Sequence, residues 1–151
     1  MGQQQLLLLV LGIVIVGLAV VVGIQAFSEN QKKANADALV NDAIRIASDA
    51  QAWMLKPQAF GGGNNSCADA AGCDWTNATF SQLGYPVEAD GVTYANLNGS
   101  FTIDGTSDIT EVVITSTSAA NENQVTVTVT GTRPDDINTE VVTDYSAGSG
   151  A

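Results

Sequence analysis

The side chains able to do chemistry are few and lie in separate places. Cys67 and Cys73, with five residues between them, suit one small disulfide formed in an oxidising compartment; a reduced, merely structural pair is the alternative. Two thiols are too few for a zinc site in a chain without histidine, and that lack also removes Ser-His-Asp and Cys-His catalysis. Asp104 and Asp108 flank Gly105-Thr106-Ser107, and Asp135-Asp136 precede Ile137-Asn138, so each loop offers oxygens to Ca²⁺. Neither has EF-hand spacing and acidic turns are common, so no metal is expected. Asn64-Asn65-Ser66, Asn77-Ala78-Thr79 and Asn98-Gly99-Ser100 are acceptor triplets for N-glycosylation, and Asn98 has a competing role as a turn residue. Glu88 and Asp90 lack the apolar pocket that separates the roles of paired carboxylates. No catalytic constellation emerges, and neither enzymatic activity nor a cofactor is expected.

Charge divides the chain that must position these groups. Its 151 residues carry a net charge of −11, yet the mean hydropathy is +0.14. Residues 1–28 contain no charged side chain, residues 29–56 hold four acids and four bases, and residues 57–151 hold twelve acids and Arg133 alone. Length favours a single domain, and the last 95 or so residues can build one modest core. An acidic surface repels phosphate backbones, so nucleic acid is not an expected partner.

Residues 6–24 are an unbroken run of aliphatic residues, alanine and glycine. Fifteen branched aliphatics at roughly −0.3 to −0.6 kcal/mol each favour membrane insertion by about 4–9 kcal/mol, before the glycines reduce it. The run meets the length of a transmembrane helix. A cleavable signal is disfavoured by the absence of a basic leading region, the length of the run and the lack of a small-x-small site after it. Gly12, Gly17 and Gly23 permit close approach of a second helix.

Between Phe27 and Lys56 there is no proline or glycine, and alanine is frequent, so the helix is expected to continue to Lys56, about 80 Å in all. Leu39, Ala43, Ile46, Ala50 and Trp53 recur in alternating steps of four and three, with Val40, Ala47 and Met54 widening the stripe. Asp42 and Arg45 are spaced to pair on the surface. Pro57 stops the helix, and Gly61-Gly62-Gly63 begins a flexible connection.

Residues 57–91 read as loop. Beyond them the period becomes two: strands are expected at 92–97 and 100–104 around the hairpin signal Asn98-Gly99, then at 110–117, 124–130 and 137–145. Val125, Val127 and Val129 face one way, Thr126, Thr128 and Thr130 the other. A sheet of four or five antiparallel strands with one apolar face needs a cover, and the stripe on residues 39–54 supplies it, with Trp53, Trp75, Phe80 and Phe101 between them. The expected fold is α+β: a long N-terminal helix, apolar then amphipathic, on a small antiparallel head. Its divisions are an apolar helix at 1–28, its amphipathic half at 29–56, a disulfide-bearing loop at 57–91 and the sheet head at 92–151.

An apolar half-helix beginning Met1-Gly2-Gln3-Gln4-Gln5-Leu6, an amphipathic second half, a cysteine-bearing loop and an antiparallel sheet together resemble a type IV pilin or pseudopilin. The resemblance spans the chain in architecture but only its start in motif. Gln5 stands where such subunits usually carry glutamate, and Val22 where many carry a proline that allows local helix melting; Gly17 or Gly23 could serve that purpose here, or the helix stays continuous. A divergent member is implied, and archaeal-type pilins also lack the glutamate. The resemblance implies an extracellular filament of identical subunits with N-terminal helices in its core, a membrane-inserted stage before assembly, and assembly machinery as partner. Gln3, Gln4 and Gln5 surround one helical turn, so in a filament they would form an inter-subunit hydrogen-bond layer; polar residues at a membrane interface before assembly are the equal alternative. Rival expectations are a single-pass anchored adhesion domain and a minor pseudopilin of a secretion or DNA-uptake machine. Lys32 and Lys33 would place their end of the helix in the cytoplasm, whereas the cysteines and acidic head argue for the outside, and the cysteines carry the expectation.

Overall fold

The computed structural model describes residues 2–63, 67, 73–104, 110–143 and 145. A long N-terminal helix and a five-stranded antiparallel sheet give the expected α+β arrangement. The helix, α1, spans Gly2–Leu55 without interruption, so neither Gly17 nor Gly23 breaks it. Two compact units divide the chain, 1–34 and 35–151.

In the first unit every large aliphatic side chain between Leu6 and Ile24 is 51–70% exposed. A cylinder that is apolar on all sides has no face to turn to water, and this one is long and apolar enough to cross a membrane.

The second unit holds the core. Ala36, Leu39, Ala43, Ile46, Ala47, Ala50, Trp53 and Met54 of α1 are buried; the expected stripe is reproduced except that Val40 is only half-buried, and Ala36 extends it by one residue. Alanines at 36, 43, 47 and 50 keep this face low enough for the sheet to lie close. Against it lie Phe101 and Ile103 of β2 (Ser100–Asp104), Val112 and Ile114 of β3 (Val112–Ser118), and Val125, Val127 and Val129 of β4 (Asn123–Val129). Along β3 and β4 buried and half-buried residues alternate strictly, as a pleated strand with one face on a core requires. β1 (Thr93–Ala95) and β5 (Ile137–Thr143) form the edges of a simple meander, β1-β2-β3-β4-β5. Trp75, Phe80 and Phe101 are fully buried and Trp53 nearly so, as expected of core residues.

Three local expectations are corrected. Residues 57–91 include a one-turn helix, α2 (Phe80–Leu83), started by the Thr79 hydroxyl and ended by Gly84 at φ 83°. Gly61-Gly62-Gly63 is not a flexible tether. The Trp53 indole donates to the Gly61 carbonyl at 2.9 Å and Gly63 N–H donates to Trp53 O at 3.1 Å. A Cβ on Gly62 would lie 2.2 Å from the Lys56 carbonyl oxygen, so these glycines permit close packing on the helix end. At the first hairpin β1 stops at Ala95, and residues 96–99 form a four-residue connection. Asn96 Oδ1 accepts from the backbone N–H groups of Asn98 (2.8 Å) and Gly99 (3.1 Å), so the chain turns on a side chain rather than on an Asn-Gly pair. Gly99 has ordinary φ; it is needed because a Cβ there would meet Thr117 O at 2.4 Å and Leu39 Cδ2 at 2.9 Å.

Candidate functional site

The feature most suited to function in the first unit is its uncovered surface. Gln3, Leu6, Leu7, Val10, Leu11 and Val14 line one shallow apolar trough on α1. A Cβ at Gly12, Gly17 or Gly23 would meet nothing within 4 Å, so each glycine leaves a notch open to an external partner. Gln3, Gln4 and Gln5 are exposed, and among the described residues their amides make no side-chain hydrogen bond. An apolar surface this extensive makes this stretch of α1 a candidate for membrane or protein contact.

The second unit places a polar row beside its buried stripe. Asn35, Asp42 and Asp49 are spaced seven apart, which sets them along one flank of α1, each half-buried. Asn35 Nδ2 donates to Asn98 O at 3.0 Å and its Oδ1 accepts from Asn123 Nδ2 at 3.1 Å. Asp42 Oδ2 accepts from the amides of Asn98 at 2.7 Å and Asn96 at 2.9 Å. Its carboxylate is thus turned to the 96–99 connection rather than to Arg45. Asp49 accepts from the Tyr85 hydroxyl. Burial, then the bond to this carboxylate and its charge, push the Tyr85 phenol well above its ordinary value of 10.0. On another side of the helix Gln51 Nε2 donates to the carbonyls of Gly131 and Arg133, both at 2.8 Å. These bonds lock helix and sheet in register at both ends of the shared interface. Sequence reasoning missed them, although the seven-residue polar row beside the apolar stripe was a signal for it.

Cys67 and Cys73 form the expected disulfide, with Cys73 buried in the core. Among the described residues no group of three acidic or cysteine side chains could hold a metal ion. Asp136 Oδ2 instead accepts from Arg133 N–H at 2.9 Å to close the turn before β5, while Asp108 lies outside the described residues. Asn64 also lies outside them. Asn77 is exposed, whereas Asn98 is half-buried with its amide committed to Asp42. Exposed turns are stiffened by two further aspartates. Thr76 donates to Asp74 through hydroxyl and N–H, and Thr93 with Val92 does the same for Asp90; both carboxyls are held below the ordinary range by these bonds, hydroxyl first. A polar groove of about 450 Å³ beside Arg45, Asp49, Lys56 and Tyr85 has both charge signs and no nucleophile with an adjacent base.

No protein-family description, curated protein or solved structure matches this chain. The long apolar helix, antiparallel sheet and disulfide are compatible with a pilin-like architecture.

Proposed function

We propose that this chain is a non-enzymatic structural subunit of a pilus-like extracellular filament, divergent from typical type IV pilins. The observation that carries the reading is the change of character along one uninterrupted helix. Between Leu6 and Ile24 its large aliphatic side chains are more than half exposed; from Ala36 on, one face is buried in the core of the head. In the proposed polymer the first part packs on copies of itself, its glycine notches admit neighbouring helices, and the acidic, threonine-rich head faces water. Before assembly the same segment resides in the cytoplasmic membrane. The disulfide favours an outward-facing head, since such bonds persist in oxidising compartments.

Electron microscopy of material sheared from cells, with mass spectrometry of its subunits, tests this. Micrometre filaments built from this chain support it. Recovery only as detergent-solubilised monomers sinks it and favours a single-pass anchored binding domain, for which the membrane-length helix also suffices. Short fibres at trace abundance favour a minor pseudopilin. Within the filament Gln3, Gln4 and Gln5 supply an inter-subunit hydrogen-bond layer. Unchanged assembly after replacing all three with leucine removes that part of the proposal.

A further inference from the structure

We infer that Asn77 is an N-glycan acceptor and that Asn98, despite an equally good triplet, is not modified. The inference rests on the extracellular head proposed above, because the acceptor must meet a glycan donor outside the cytoplasm. The triplets Asn77-Ala78-Thr79 and Asn98-Gly99-Ser100 satisfy the same local rule, so only their surroundings separate them.

Asn77 sits in a tight turn in which Ala78 N–H donates to Trp75 O at 2.9 Å. Trp75 and Ala78 are buried and act as two pegs, while Thr76, Asn77 and Thr79 between and beyond them are exposed. Among the described residues the Asn77 amide has no hydrogen-bond partner. Thr79 keeps an extended backbone (φ −129°, ψ 157°), and its hydroxyl holds only a 3.4 Å bond to Gln82 N–H. Both side chains that a transferase must engage are therefore accessible on a firmly anchored turn.

Asn98 is the opposite case. Its Nδ2 donates to Asp42 at 2.7 Å, its N–H donates to Asn96, and its carbonyl accepts from Asn35. Modification there would exchange a charge-assisted bond at the helix–sheet joint for a bulky substituent. In the proposed step Asn77 Nδ2 attacks the anomeric carbon of a lipid-linked glycosyl phosphate. A C–N bond forms, the C–O bond to phosphate breaks, the amide loses one proton to the transferase, and the lipid phosphate departs.

The test uses the full-length protein purified from its own cells. Cleavage before aspartate separates residues 74–89, with Asn77 as the single acceptor, from residues 90–103, with Asn98. Mass spectrometry is expected to find a sugar adduct on the first peptide, absent from Asn77→Gln, and none on the second. A first peptide without sugar, or a modified Asn98 peptide, overturns the inference. Thiol alkylation without reductant keeps the two proposals apart. Blocked cysteines with a bare Asn77 sink the glycan alone, whereas freely alkylated Cys67 and Cys73 sink the extracellular head and the glycan with it.

Discussion

Asp42 concentrates the polar energy of the helix–sheet joint in one carboxylate. It is half-buried and accepts two amides, and hydrogen bonds to charged groups contribute more than neutral ones. Replacing it with alanine strands both Asn96 and Asn98, and we expect Asp42→Ala to destabilise the protein by about 2–3 kcal/mol. Asp42→Asn keeps an acceptor and is expected to cost about half as much. Thermal unfolding of the full chain in detergent measures both. Tyr85 makes a pH-dependent contribution. Its folded-state phenol is raised above the ordinary 10.0, so the stabilisation is complete below pH 10.0 and is lost as pH climbs through the higher folded-state value. We expect Tyr85→Phe to lower stability at neutral pH by about 1 kcal/mol and to flatten the alkaline decline, as followed by unfolding between neutral and strongly alkaline pH.

At the scale of elements, the two faces of α1 give the clearest contrast. Leu39 is fully buried against Gly99 and the sheet, while Ile44 on the same helix is 39% exposed. We expect Leu39→Ala to cost about 2–5 kcal/mol and Ile44→Ala well under about 1 kcal/mol, read from denaturant midpoints. The helix, its stripe and a sheet of four or five strands were legible in the sequence, and the clearest of them rest on periodicity: 3.5 to 3.6 residues for residues 39–54, two for Val125, Val127 and Val129. Strand ends were less legible, being set by side chains acting locally. β1 was expected to reach Leu97 but ends where Asn96 bends its amide oxygen to the chain, leaving Leu97 wholly exposed. The glycine run at 61–63 looked like a tether because local composition cannot reveal that Lys56 and Met54 lie against it. The polar row of Asn35, Asp42 and Asp49 was present as spacing. Its meaning depended on Asn96, Asn98, Asn123 and Tyr85, which only the tertiary fold brings to it.

For the whole molecule, the apolar average and the acidic total belong to different stretches: no charge lies within residues 1–28, and all of the excess acid lies beyond residue 56. In the proposed filament the head carries this charge outward, and like-charged surfaces repel. The screening length falls from about 30 Å at 0.01 M salt to about 8 Å at 0.15 M. Filaments are expected to stay dispersed at low ionic strength and to bundle as salt rises, with the subunit fold unchanged. Turbidity alongside circular dichroism separates bundling from unfolding. The meander has a kinetic consequence as well. Each strand pairs with its neighbour in sequence, so the sheet closes through short loops, whereas α1 reaches it through bonds spanning 80 and 88 positions, from Gln51 to Gly131 and from Asn35 to Asn123. Short closures cost less entropy than long ones, so hairpins zip first and helix docking completes folding. Substitutions in β3 and β4 should then slow refolding, while Leu39→Ala chiefly speeds unfolding, as stopped-flow measurements would resolve. A nascent subunit whose first helix is still held elsewhere can already have built its sheet, and the step that remains is the capture of one helix face.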